Sequence, residues 1–93
     1  MLIIATFPST HAALKAEQGL KGKVASIELI PVPRQIHSDC GFCLLLEVGD
    51  PGTEAFEENM LHIRASGADH LWRVIHIEES DSSRNGKRYE RIP

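Results

Sequence analysis

The sequence predicts an α+β fold of the ferredoxin-like kind, a two-layer βαββαβ sandwich in which two helices cover one face of a four-stranded antiparallel sheet. Four segments have the apolar or alternating patterns of strands, and two segments between them have helical spacing. The strand-helix-strand unit thus occurs twice, and right-handed crossovers would place both helices on the same side of the sheet. A chain of 93 residues has room for one core, so we expect one domain over residues 1–78.

The first strand and the first helix are separated by Pro8. Leu2 to Thr6 is an apolar run with β-branched residues, which is typical of a strand. Ser9 or Thr10 can cap a following helix, because their hydroxyls accept hydrogen bonds from its first N–H groups. The apolar residues at helical spacing are Ala12, Ala13, Ala16 and Leu20, and Gly22 is placed to end the helix.

The second and third strands are predicted to form a hairpin. Val24 to Ile30 alternates between apolar and polar residues, and Pro31 and Pro33 end the strand because proline cannot donate to a ladder. Phe42 to Val48 has a regular apolar face and is the third strand. The loop between them runs from Pro31 to Gly41.

The remaining elements follow a turn at Asp50-Pro51-Gly52. Thr53 is the expected cap of a second helix that ends near Gly67, and His70 to Ile77 is the fourth strand. The chain then loses most of its apolar residues, so we expect residues 79–93 to be a flexible tail.

Composition excludes several classes of function. The net charge of −3 argues against general nucleic-acid binding, which needs a basic surface. No apolar run is long enough to span a membrane, and the first residues lack the basic flank of a signal peptide. We therefore expect a cytoplasmic protein whose two cysteines are thiols and do not form a structural disulfide.

The loop before the third strand is the candidate site. It holds Cys40 close to an arginine, a histidine, a serine and a glycine, and Cys43 follows it. In the predicted topology this loop lies at the end of the sheet where the first helix begins. We therefore expect Cys40 to lie close to Ser9 and Thr10, although thirty residues separate them in the sequence.

Four residues of this loop, together with the start of the first helix, favour a reactive thiol at Cys40. A thiol is a nucleophile when it is ionised, and the positive end of a helix or a nearby cation favours that form. Arg34 supplies a permanent charge, and His37 can supply a second charge or act as a base. Ser38 can donate a hydrogen bond to the sulfur, and Gly41 permits close approach and unusual backbone angles. We expect Cys40 to be reachable from solvent.

The spacing of Cys43 leaves two alternatives open. Cys-x-x-Cys suggests a thiol-disulfide redox protein, but residues three apart on a strand face opposite ways and lie too far apart to bridge. His37-x-x-Cys40-x-x-Cys43 suggests a metal-binding module, which again requires a turn at this point. We therefore expect Cys43 to be packed, and we assign no metal ligands.

One family shares this pattern of residues. Pro31-Val32-Pro33-Arg34, Ser38 and Cys40-Gly41 resemble the motif of the selenium/sulfur carrier-like proteins of bacteria and archaea, and the first helix resembles theirs at Phe7, Ser9-Thr10, Ala13-Leu14 and Glu17. The resemblance extends over residues 2 to 77. Two positions depart from it: His37 stands where serine is commoner, and Cys43 is an addition.

The resemblance implies a small carrier protein and not a stand-alone enzyme. Cys40 would hold sulfur or selenium as a persulfide or selenosulfide, with Arg34, Ser38 and Gly41 as motif neighbours. The implied partners are a donor of the cysteine desulfurase or selenocysteine lyase type and an acceptor enzyme, with no resident cofactor. An interaction domain is a further alternative. A homodimer through an uncovered sheet face is also expected, if that face carries Ile30, Leu45 and Trp72.

Overall fold

The computed structural model describes residues 1–77 and 86–93 of the chain. The elements in chain order are β1 (Leu2–Thr6), α1 (Thr10–Leu20), β2 (Ser26–Pro31), β3 (Phe42–Glu47), α2 (Glu54–Ala65), β4 (His70–Ile77) and β5 (Gly86–Ile92). Five strands and two helices therefore form an α+β structure, as the sequence predicts. The predicted bounds of β1 and β4 are those observed.

The strands form one antiparallel sheet in the order β2-β3-β1-β4-β5. β1 is central, and its last residue, Thr6, lies opposite Cys43 of β3 on one side and His70 of β4 on the other. In the β2–β3 hairpin, Pro31 lies opposite Phe42. The end of β1 and the starts of β3 and β4 therefore meet at one end of the sheet, next to the beginning of α1.

The two faces of the sheet are covered differently. On the helix face, both helices pack over the sheet, with Ala13 and Leu20 of α1 and Ile63 of α2 in one buried cluster. On the opposite face, called here the open face, Ile4, Ile36 and Cys43 form a smaller buried cluster. The hydrophobic residues packed against that smaller cluster are Ile30, Val32, Leu45, Trp72, Val74 and Tyr89. The predicted membership of Ile30, Leu45 and Trp72 in this face is confirmed.

Both helices begin at the residues that the sequence predicts. The Ser9 side chain accepts a hydrogen bond from the backbone N–H of Ala12, and Thr53 caps α2 in the same way. Gly22 follows the end of α1 with a φ of 85°, a conformation that other residues rarely adopt. Neither helix has the length and apolarity needed to cross a membrane, as far as the described residues go.

The four-stranded ferredoxin-like layout is not confirmed, because β5 adds a fifth strand. The prediction of a flexible tail is wrong for residues 86–92, which pair with β4 from Leu71↔Ile92 to Ile77↔Gly86. Residues 79–85 of the predicted tail lie outside the described residues. The sequence of β5 has no apolar run, because it is an edge strand rich in charged residues. Charged residues on an edge strand protect the exposed edge from pairing with other chains.

Candidate functional site

The segment between β2 and β3 crosses from one face of the sheet to the other. Ile36 belongs to the buried cluster of the open face, whereas Cys40 belongs to the buried cluster under the helices. The four-residue step from Ile36 to Cys40 therefore passes around the end of the β2–β3 pair. This path brings the thiol of Cys40 to the beginning of α1.

The sulfur of Cys40 has two polar neighbours. The Thr10 hydroxyl lies 3.6 Å from Sγ, and the backbone N–H of Phe42 donates a hydrogen bond to Sγ at 3.4 Å. Thr10 is the first residue of α1, so the thiol lies beside the positive end of that helix. Cys40 therefore lies next to the start of α1, with Thr10 as its neighbour. Ser9 instead uses its hydroxyl to cap the helix.

Cys40 is buried, which contradicts the expectation of a solvent-reachable thiol. Only 4% of the residue is exposed, because it packs into the cluster formed by α1 and the helix face of the sheet. The sulfur nevertheless lies near the surface, since its neighbours Thr10 and Gly41 are both exposed. Cys40 is thus a buried residue between exposed neighbours.

Ser38 and Gly41 have different roles from those expected. The Ser38 hydroxyl accepts a hydrogen bond from the backbone N–H of Cys40 at 3.3 Å, so it fixes the backbone of the segment. Gly41 is not among the glycines with positive φ, and a Cβ atom placed on it would meet nothing within 4 Å. The fold itself therefore does not require glycine at position 41, although the open space above it is consistent with close approach of another molecule.

Arg34 and His37 both lie on the surface of the segment. None of the hydrogen bonds or ion pairs between described residues joins either side chain to Cys40. In this conformation the polar groups at the sulfur therefore come from Thr10 and from the backbone of Phe42. The side chains of Arg34 and His37 are both exposed to solvent.

Cys43 is packed, as the sequence predicts. It is fully buried on the open face, where its thiol lies 4.0 Å from the carbonyl oxygen of Pro31. Burial raises the pKa of Cys43 to about 11, and a negative charge on nearby Cys40 acts in the same direction. Burial also raises the pKa of Tyr89, which packs against the same cluster. The Cys43 thiol therefore keeps its proton at neutral pH.

The opposite orientations of Cys40 and Cys43 bear on the redox and metal-binding alternatives. Both cysteines are free, and each side chain is buried in a different cluster. A disulfide between them, or a metal ion shared with His37, would require residues 40–43 to rearrange so that both sulfurs reach the same side of the sheet. In residues 1–77 and 86–93, no three potential metal ligands are grouped together.

Two features of the site were not predicted from the sequence. The N–H of Phe42 is a backbone group, so no residue type signals its direction toward the sulfur. Ile36 had a visible signal, because it is an apolar residue in the otherwise polar stretch from Arg34 to Asp39. Such an isolated apolar residue in a loop often marks a point where the loop is anchored to the core.

The comparison with protein families identifies the chain. Residues 2–64 match the model of the family described as "Putative Se/S carrier protein-like". The chain belongs to this family. The match includes β1 to α2 and the whole segment that carries Cys40, and the resemblance inferred from the sequence is confirmed at the level of the family. No curated protein and no solved structure matches the chain.

Proposed function

We propose that this selenium/sulfur carrier-like protein holds sulfur or selenium on Cys40 and passes it from a donor enzyme to an acceptor enzyme. One observation carries the proposal: a free thiol lies beside the first turn of α1, with a hydroxyl and a backbone N–H directed at its sulfur. The family match over residues 2–64 supports a carrier role for this segment.

The neighbours of the Cys40 sulfur can stabilise the negative charge that it carries as a thiolate during transfer. The Phe42 N–H and the Thr10 hydroxyl can donate hydrogen bonds to an anionic sulfur, and the positive end of α1 favours the same charge. These groups are held by the backbone and by the helix cap, so they need little reorganisation when charge appears. A persulfide, which also ionises readily, would be stabilised by the same groups.

The proposed transfer conserves atoms and electrons. The Cys40 thiolate attacks the outer sulfur of a persulfide on the donor enzyme, which forms an S–S bond to Cys40 and breaks the S–S bond of the donor. The donor cysteine leaves as a thiolate and takes up a proton. In the second step a nucleophile of the acceptor attacks the outer atom on Cys40, and Cys40 leaves as a thiolate. With selenium, the outer atom is selenium and the bonds are exchanged in the same way.

The donor and acceptor would approach over the exposed part of the segment. Gly41 leaves open space one residue from Cys40, and the exposed side chains of Arg34 and His37 belong to the same segment. A partner with an acidic rim around its own cysteine would be attracted to these side chains, which would also stabilise anions during the exchange. The partners proposed are a cysteine desulfurase or selenocysteine lyase as donor and, as acceptor, an enzyme whose nucleophile takes sulfane sulfur or selenium of the same oxidation level.

The proposal is tested by loading the protein with a purified donor. The wild type, Cys40→Ser and Cys43→Ala are each incubated with a cysteine desulfurase and cysteine, and their intact masses are measured under non-reducing conditions. We expect the wild type and Cys43→Ala to gain the mass of one sulfur atom and Cys40→Ser to gain none. A parallel incubation uses a selenocysteine lyase and selenocysteine. Equal loading of Cys40→Ser, or no loading of the wild type by either donor, would refute the proposal.

A further inference from the structure

A carrier role requires Cys40 to become accessible, so the contacts that hold its segment against the sheet are important. From Pro31 to Asp39, Ile36 is the buried residue, at 4% exposure, and its neighbours Gln35 and His37 are exposed. Ile36 packs with Ile4 and Cys43 on the open face, on the opposite side of the sheet from Cys40. The segment is thus attached to both faces, by Ile36 on one side and by Cys40 on the other.

The backbone of this segment is held mainly by local contacts. Val32 donates to the carbonyl of Gly41 at 3.1 Å, and Ile36 donates to the carbonyl of Pro33 at 3.0 Å. The first bond continues the β2–β3 pairing one step beyond Pro31 and Phe42, and the second lies within the loop, so neither ties the tip of the loop to a neighbouring strand. Burial of the Ile36 side chain against Ile4 and Cys43 is therefore a principal tie between the loop and the open face.

We propose that Ile36 is a positioning residue that controls the exposure of Cys40: when its side chain leaves the open face, residues 33–41 swing out and carry the thiol into solvent. The inference deepens the proposed carrier function, because a buried thiol must become accessible before it can attack a donor. Local opening of this kind involves a few residues and requires much less free energy than global unfolding.

Alkylation of Cys40 measures this opening directly. The parent is the otherwise wild-type chain, which keeps the contact between Ile36 and Cys43. The rate of reaction of Cys40 with iodoacetamide is measured in native buffer for the parent, Ile36→Ala and Ile36→Val, and fragment-ion spectra distinguish alkylation at Cys40 from alkylation at Cys43. Truncating a buried aliphatic side chain weakens its packing, so we expect Ile36→Ala to react at least about 10-fold faster than the parent. Ile36→Val should lie in between, since it keeps most of the contact.

A matched control separates opening of the segment from general loss of stability. Leu20 is also buried, at 2% exposure, but it lies at the far end of α1 from Thr10. Leu20→Ala is expected to lower the urea midpoint at least as much as Ile36→Ala and to change the Cys40 rate by less than about threefold. Equal acceleration by both variants, or no acceleration by Ile36→Ala, would overturn the inference.

Amide hydrogen exchange supplies a second measurement that needs no thiol chemistry. Opening of the segment breaks the hydrogen bond from the Phe42 N–H to Cys40 Sγ, so exchange at Phe42 should be faster in Ile36→Ala than in Leu20→Ala. Neither measurement requires a sulfur donor. If Ile36 controls exposure but Cys40 cannot be loaded, the positioning role stands and the carrier function fails; if Cys40 is loaded but Ile36→Ala changes nothing, the reverse holds.

Discussion

At the scale of single residues, the two cysteines are distinguished by their surroundings. Cys40 lies beside a hydroxyl, a backbone N–H and the start of a helix, whereas Cys43 is enclosed by hydrocarbon on the other face. The sequence predicted which cysteine is packed against the sheet, because the alternation of a strand determines the direction of its side chains. It could not predict the burial of Cys40, which depends on how closely α1 approaches the loop.

The raised pKa of Cys43 has a consequence for stability at high pH. The unfolded thiol ionises near pH 9, whereas the folded thiol keeps its proton until about pH 11. Between these values the unfolded state binds fewer protons, so the free energy of unfolding should fall as the pH rises, by up to about 2–3 kcal/mol. Urea titrations of the wild type at a series of pH values measure this fall.

The control for this prediction is Cys43→Ala. Because tyrosines and lysines also titrate in this range, the difference between the wild type and the variant isolates the contribution of Cys43. The difference should be constant below about pH 8.5 and should change in favour of the variant above it. Parallel stability curves up to pH 11 would show that Cys43 ionises normally in the folded protein.

Gly41→Ala separates folding from function at the site. A Cβ atom at this position meets nothing within 4 Å, and the backbone of Gly41 is outside the positive-φ region. The variant should therefore be as stable as the wild type, or more stable by up to about 1 kcal/mol because its unfolded chain has less freedom. Sulfur loading of Cys40 by a donor should nonetheless become slower, because the added methyl group occupies the path of approach. A variant that loads at the wild-type rate would show that the donor does not approach Cys40 over Gly41.

At the scale of elements, the sequence predicts the strands and helix starts that are determined by their own residues. β1, β4 and the starts of both helices were predicted correctly, because apolar runs and capping hydroxyls mark them clearly. β5 was missed because its stability comes from pairing with β4 and from Tyr89 and Ile92, which contact the two faces of the sheet. Whether such a segment forms a strand depends on the neighbouring strand, so the residues of a polar edge strand alone give little indication of it.

The cap of α1 connects this element to the site. Ser9→Ala removes the hydrogen bond to the N–H of Ala12 and should reduce the free energy of unfolding by about 1 kcal/mol. Because the first turn then frays, Thr10 should spend less time beside the sulfur, and alkylation of Cys40 should become faster. Chemical denaturation and the alkylation rate are measured on the same samples.

Thr53→Ala provides the comparison, since Thr53 caps α2 through a hydrogen bond from Phe56. It should have a similar effect on stability and leave the reactivity of Cys40 nearly unchanged, because α2 makes no described polar contact with the sulfur. A similar acceleration in both cap variants would mean that Cys40 reacts through global unfolding.

At the scale of the whole molecule, the segment that carries Cys40 lies within the family match and β5 lies beyond it. The match ends at residue 64, so β4 and β5 complete the sheet outside the shared region. The predicted order of elements was sufficient to place the Cys40 loop next to α1, because antiparallel pairing brings the end of β1 and the start of β3 together. Details of contact and burial required the three-dimensional structure.

A chain that ends at Ile77 tests the contribution of β5. Removal of the later residues deletes seven paired positions along β4 and uncovers one edge of the sheet. We expect a clear decrease in the urea midpoint and increased self-association, because the freed edge of β4 can pair with another chain. A shortened chain as stable and as soluble as the full chain would instead mean that β5 is dispensable.

The location of the transferred atom tests the carrier account most directly. After loading by a donor enzyme and capture of the persulfide with an alkylating reagent, fragment-ion spectra of the peptide that contains both cysteines show which residue holds the extra sulfur or selenium. The account predicts that the extra atom is on Cys40 and that Cys43 is unmodified. Finding the atom on Cys43, or a disulfide between the two cysteines in place of a persulfide, would contradict it.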